Sequence, residues 1–242
     1  MSSFPLVLIH HAGGAANVFA PLQRALPASV RPIALELPGR GRRWREQPFT
    51  DARDAIADMA RQIGDLGPEI AILGHSLGAY LGLGLAAFLE RQNRVRCSTL
   101  FASANAGPRA AALPFDKPAM ECGDDEIIEI AMLSGGGVPK EVLDNQQLRS
   151  RTAALLRADF SLSQTFLASD RQTVTEADIE VFCGSEDIFD DQQLRAWASN
   201  STGRTVIRYL PGGHFYLSNM DNADTMSSVI DARIGATASS QV

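Results

Sequence analysis

The sequence predicts an α/β fold built on one mostly parallel, doubly wound sheet, and three observations carry that reading. Short apolar runs of strand type alternate with segments of helical spacing over most of the 242 residues, the pattern of a parallel sheet covered on both faces. One junction joins the apolar run 69–73, the turn Gly74-His75-Ser76-Leu77-Gly78 and a long apolar helix. Strand, Gly-x-Ser-x-Gly and helix in that order form a nucleophile elbow, a strained turn that lifts the serine hydroxyl above the sheet. The alternation stops once, from about 107 to 173, where helical and glycine-interrupted stretches replace strands. That block reads as a helical lid inserted between two strands, with a few extra surface helices as the plainer alternative. The whole of 1–242 reads as one domain, without repeat or linker.

Taken in order, residues 6–9 read as a buried strand leading into the glycine loop His10-His11-Ala12-Gly13-Gly14. Residues 18–26 have helical spacing, and Pro27 stops them. Residues 31–37 read as a strand, and 38–43 as a turn and basic loop. Thr50 or Asp51 can cap a helix to about Asp65, with Ile56, Met59, Ala60 and Ile63 inward. The helix after the elbow is apolar all round, so it is central and covered on both sides. Gly82 and Gly84 each cost that helix roughly 1 kcal/mol against alanine, which close packing on the sheet would return. Residues 98–103 read as the next strand. In the insertion, Asp124 can cap a helix through Met132, and glycines 135–137 interrupt it. Asp144 or Asn145 can cap another helix through Arg157. Residues 179–183 form a strand, and Asp190 caps the next helix with Gln193 as capping-box partner. Residues 205–210 make the last strand, Pro211-Gly212-Gly213-His214-Phe215 a loop, and a closing helix runs through Ile234.

Apolar residues at 45% and charged residues at 21% permit a sizeable core. A net charge of -6 argues against nucleic acid, which rewards a basic face. Cys97, Cys122 and Cys183 are an odd, sparse set with no pairing spacing, so neither a disulfide framework nor a zinc site is expected. No H-x-x-x-H or C-x-x-C spacing exists to hold a metal. The first residues lack a basic n-region and lead into a strand, so no signal peptide is expected. No apolar run reaches transmembrane length, and the expected setting is the cytoplasm.

An elbow serine needs a base and a group to orient it, in the chain order serine, acid, histidine. His214 is the only histidine beyond His75, and it follows the last strand. The acids after Cys183 are Glu186, Asp187, Asp190 and Asp191. Asp187, three residues beyond Gly184 on the loop leaving the strand, is the favoured acid, since Asp190 and Asp191 are better explained as helix caps and Glu186 as solvent-facing. The reading is a triad of Ser76, Asp187 and His214, with backbone N–H groups of Ala12 and Leu77 as oxyanion donors. His11 borders that loop and either lines the pocket or only packs locally.

These residues resemble the type II thioesterases of nonribosomal peptide and polyketide synthesis, within the α/β-hydrolase superfamily. The segments that carry the resemblance are Ala12-Gly13-Gly14 with Phe19, Leu37-Pro38-Gly39-Arg40-Gly41-Arg42-Arg43 with Glu46, Gly74-His75-Ser76-Leu77-Gly78-Ala79, Arg157-Ala158-Asp159-Phe160, Gly184-Ser185-Glu186-Asp187 with Trp197, and the His214 loop. The resemblance implies an α/β-hydrolase fold and an editing hydrolase that frees wrong or stalled acyl groups from the 4′-phosphopantetheine arm of carrier proteins. It implies no cofactor of the enzyme's own, because the pantetheine belongs to the substrate. Acyl- or peptidyl-carrier domains are the expected partners and a monomer the expected state. Arg40, Arg42 and Arg43 either meet an acidic partner or form a solvated loop. The sequence departs from the family at His10-His11, where Pro-Tyr or a similar pair is usual, which bears on acyl preference. The competing readings are a carboxylesterase, a chain-releasing thioesterase and a non-catalytic ligand receptor on the same fold.

Overall fold

Short apolar runs bounded by turn residues pair into one sheet, and the segments between them cover it. The computed structural model describes residues 3–93, 95–135 and 137–239, with side chains to 235. In chain order the elements are β1 (Phe4–Ile9), α1 (Ala20–Ala25), β2 (Val30–Ala34), α2 (Ala52–Ile63), β3 (Glu69–His75), α3 (Leu77–Arg91) and β4 (Arg96–Ser103). Then follow α4 (Asp124–Leu133), α5 (Lys140–Leu143), α6 (Gln146–Ser169), β5 (Asp178–Gly184), α7 (Asp191–Arg195), β6 (Thr205–Leu210) and α8 (Met220–Ser239). The six strands lie in the order β2-β1-β3-β4-β5-β6, and every neighbouring pair is parallel. The expected parallel α/β sheet is therefore present, and it is wholly parallel.

Strand side chains alternate in direction, and the two faces show it. Val7, Ile9, Ile70, Ile72, Leu100, Ala102, Ile179 and Val181 enter one core, shared with α2, α3 and the C-terminal half of α6. Leu6, Leu8, Ala71, Leu73, Phe101 and Phe182 enter the other, shared with α8. A sheet buried on both faces explains why each strand reads as a continuous apolar run. α3 is buried over nearly its whole surface, as its sequence requires. All three cysteine thiols are free and buried. Among the described residues no helix is long and apolar enough to cross a membrane.

Four local expectations need correction. β2 ends at Ala34, not Leu37. Beyond it the Leu35 N–H still donates to the Leu8 carbonyl at 3.0 Å, but the Leu37 N–H turns to His10 Nε2 at 3.4 Å, so a side chain replaces the ladder. The cap of α4 is Gly123, not Asp124; the Gly123 N–H donates to Glu126, and Asp124 pairs with Arg157 at 2.7 Å. α6 is capped by Asn145 but continues twelve residues past Arg157 to Ser169, because Leu162, Phe166 and Leu167 keep its apolar stripe running among Ser and Gln. Gly82 does face the sheet, whereas Gly84 gives room to Ile56 of α2 and Phe166 of α6.

Among the described residues between β4 and β5 the elements are all helical. They have a small core of their own, made of Ile127, Ile128, Ala131, Ala153, Leu156 and Phe160. α6 joins that core through its N-terminal half and the main core through its C-terminal half.

Candidate active site

The elbow is where backbone geometry is most restricted. Ser76 has φ 55° and ψ -117°, a left-handed conformation that costs on the order of 1–3 kcal/mol and persists only when its surroundings fix it. A methyl group on Gly74 would strike the Gly78 carbonyl, and one on Gly78 would strike the Ile9 carbonyl. Side-chain-free residues on both flanks let strand and helix approach closely enough to hold the turn. The Ser76 N–H donates to the Ser103 carbonyl at 2.7 Å, and Asn105 Nδ2 donates to the Ser76 carbonyl at 2.9 Å. Behind the serine, His75 Nδ1 lies 2.7 Å from the Ser103 hydroxyl, itself 2.5 Å from the Tyr216 hydroxyl. Burial, with His214 and His11 nearby, holds the His75 ring neutral, its pKa well below the ordinary histidine value.

His214 sits in the loop after β6 and Asp187 in the loop after β5. His214 Nδ1 lies 3.1 and 3.2 Å from the two Asp187 oxygens, and both side chains are buried. Asp187 Oδ1 also accepts the Ile188 N–H at 2.8 Å. A carboxylate on Nδ1 keeps that nitrogen protonated and leaves Nε2 as the proton acceptor. Glu186 is exposed and Asp190 caps α7, as expected, whereas Asp191, also read as a cap, is the first residue of the helix. Ser76 and His214 line one cavity of about 360 Å³, together with Ala12 and Leu77. Apolar side chains dominate its wall, among them Tyr80, Leu113, Phe160 and Phe189. Among the described residues neither the Ser76 hydroxyl nor the Ala12 N–H makes a hydrogen bond. Leu77 is the first residue of α3, where an N–H has no carbonyl one turn back to bond. A hydroxyl, a tautomer-fixed imidazole and two open N–H groups in one apolar cavity can carry out acyl transfer.

His11 does both things expected of it as alternatives. Its Nδ1–H donates to the Ala12 carbonyl at 2.9 Å, and its ring packs edge-on against Phe215. It also lines a recess beside Ser76 and His214, and burial lowers its pKa. His10 points elsewhere: its Nδ1–H donates to the His11 carbonyl, and burial and Arg40 bring its pKa down to about 4. The basic loop divides. Arg40 is buried against Asp159 and is not available to a partner, Arg43 pairs with Glu46 and Asp58, and Arg42 is exposed.

A family model described as a thioesterase domain matches residues 4–234. The chain belongs to the thioesterase domain family. It is 30% identical to the gramicidin S biosynthesis protein GrsT of Aneurinibacillus migulanus over 88% of this chain and 82% of that one. It is 29% identical to the medium-chain S-acyl fatty acid synthase thioesterase of Rattus norvegicus, over 94% of this chain and 86% of that one. The solved structure of YbtT, a type II thioesterase from the yersiniabactin NRPS/PKS biosynthetic pathway, superposes with a TM-score of 0.80 at 25% identity, covering 96% of this chain and 93% of that one. The protein is a thioester hydrolase.

Some parts of this thioesterase site gave no signal in the sequence. Asn105 and the Ser103–Tyr216 pair support the elbow from residues that fit no motif. The glycine run after α4 gave only a helix stop, yet Gly135 lies against the His214 ring.

Proposed function

We propose that this thioesterase removes wrong or stalled acyl groups from the 4′-phosphopantetheine arm of carrier proteins in nonribosomal peptide or polyketide synthesis. The observation that carries the reading is the Asp187–His214 pair beside the elbow serine, in an apolar cavity that α4, α6 and their connecting loops cover. The names of GrsT and YbtT support the pathway class. His214 takes the proton from Ser76, and the alkoxide attacks the thioester carbonyl. Ala12 and Leu77 N–H groups receive the oxyanion. The carbon–sulfur bond breaks, His214 protonates the departing pantetheine thiol, and the acyl group stays on Ser76. Water then repeats the steps through His214 and leaves a free acid. The helical insertion acts as the lid that admits acyl chain and arm. The enzyme needs no cofactor of its own, and every catalytic group comes from one chain, so a monomer suffices.

A second reading is hydrolysis of medium-length fatty acyl thioesters, favoured by the rat relative and the apolar cavity wall. Mass spectrometry of a panel of acylated carrier proteins separates the two. Release of short or amino-acyl groups is expected; release of fatty acyl groups alone supports the second reading. Ser76→Ala should lower turnover by at least about 10³-fold. Faster turnover of a p-nitrophenyl ester than of any carrier thioester would sink the editing reading in favour of a plain esterase.

A further inference from the structure

The Arg40–Asp159 pair stands outside the triad, yet it touches the loop that the triad needs. Arg40 lies in the loop after β2, and Asp159 lies mid-way along α6, 119 residues later. Their side chains are 5% and 1% exposed. The pairing is bidentate, Arg40 Nη1 to Asp159 Oδ2 at 2.6 Å and Nη2 to Oδ1 at 2.7 Å. Two further bonds leave the pair in one direction. Asp159 Oδ2 accepts the Gly13 N–H at 2.7 Å, and Arg40 Nη1 donates to the Gly14 carbonyl at 3.3 Å. Arg40 Nε donates to the Pro38 carbonyl at 3.3 Å, which fixes the guanidinium to its own loop.

A buried ion pair is weak evidence for stability, because desolvation opposes the attraction and an apolar pair of similar volume often holds a fold as well. What an apolar pair cannot do is bond to the polar backbone of residues 13 and 14. Several neighbouring groups of that loop are also engaged. The His11 carbonyl accepts from Gly14 and from His10, the Ala12 carbonyl accepts from His11, and the Ala16 N–H donates to Glu36. Among the described residues the Ala12 N–H makes no hydrogen bond, and Ala12 borders the Ser76 cavity.

We propose that Arg40 and Asp159 are positioning residues for catalysis: they clamp Gly13 and Gly14 so that the Ala12 N–H stays aimed at the oxyanion, and they tie this alignment to the seating of α6. The inference rests on the proposed role of Ala12. Because Asp159 belongs to the insertion and Gly13 to the core, the oxyanion donor is aligned only while α6 is docked. An α6 that swings away takes the clamp with it.

The test uses the full-length enzyme with Asp159→Asn and Arg40→Lys, each normalised to folded protein by circular dichroism. Asparagine keeps the volume but loses one charged acceptor, and lysine keeps the charge but cannot form the fork. Three quantities are compared: kcat and KM for an acyl-pantetheine thioester, the rate of Ser76 modification by a fluorophosphonate, whose tetrahedral adduct needs the oxyanion donor, and the Kd of a non-hydrolysable acyl-pantetheine amide. The expected result is a fall of about 10- to 100-fold in both kcat and phosphonylation rate, with amide Kd changed less than threefold. Arg40→Lys should retain more activity than Arg40→Met. Wild-type phosphonylation in both variants overturns the proposal. So does an equal loss of amide binding, or failure of both variants to fold, since either makes the pair a general structural staple. Ser76→Ala run alongside separates this from the parent reading: if it keeps wild-type turnover, the triad itself is wrong.

Discussion

Asp187 does for His214 what a neutral amide cannot. Its two oxygens face Nδ1 at 3.1 and 3.2 Å, so the proton is held there and Nε2 is left open for the role of base that the proposed mechanism gives it. In Asp187→Asn the amide can donate to Nδ1 and select the wrong tautomer. Expected is a loss of about 10³- to 10⁴-fold in kcat with little change in thermal stability. Stopped-flow hydrolysis together with a melting curve checks it, and a loss under tenfold would remove Asp187 from the triad. Asp187 was legible in the sequence because the acids around it had other work: Asp190 caps α7 and Glu186 faces solvent. Asn105 was not legible. An asparagine after a strand has no spacing to betray it, and its bond to the Ser76 carbonyl exists only once the elbow has folded. Asp159 was visible as part of a segment and Arg40 as part of another, but which acid an arginine meets across 119 residues is a tertiary fact.

The insertion approaches His214 at a glycine. Gly135 follows α4 with φ 82°, and a Cβ there would lie 2.9 Å from His214 Cβ and 3.0 Å from Cγ. Gly135→Ala therefore adds both backbone strain and a clash with a ring held in place by Asp187. Either the segment lifts from the cavity or the ring tilts off its partner. Expected is a fall in kcat of about tenfold or more, since small misplacements of a catalytic group are costly. Gly137→Ala is the control. Among the described residues beyond its chain neighbours no atom lies within 4 Å of a Cβ there, so its turnover should stay within twofold of wild type. Equal activity in both variants would mean that Gly135 does not set the His214 geometry. The same element shows why helix ends read poorly from sequence. α6 was expected to stop near Arg157, but its inner face carries on through Phe160, Leu162, Phe166 and Leu167, and these straddle two cores. A stripe diluted by Ser161, Ser163, Gln164 and Thr165 looks like a loop until the partner surfaces are known.

Across the molecule, the sheet was legible because burial on both faces leaves strands little choice but continuous apolar runs, and short runs joined through helices pair in parallel. The polar groups that the sheet tops must carry were less legible, and they set the response of the whole protein to acid. His10 and His75 are buried and His11 is half-buried, and burial lowers the pKa of each below its ordinary value. His10 is the clearest: it falls to about 4 from 6.5, first through burial and then through the Arg40 cation. Its ring must also stay neutral to accept the Leu37 N–H at Nε2 while donating from Nδ1. Between pH 6.5 and about 4 the unfolded chain binds a proton at His10 that the native protein does not. Stability therefore rises with pH across that window, and it is lost as pH falls through it. At about 1.4 kcal/mol per pH unit, His10 alone removes about 3 kcal/mol by the bottom of the window, and His11 and His75 add in the same direction. Urea unfolding at pH 7.5, 6, 5 and 4.5 should show stability falling at each step. His10→Asn lowers stability at pH 7.5 by removing a buried partner, but its decline toward pH 4.5 should be shallower than that of wild type. Parallel declines in the two proteins would show that His10 is already protonated in the native state, and that the bond to Leu37 does not hold it neutral.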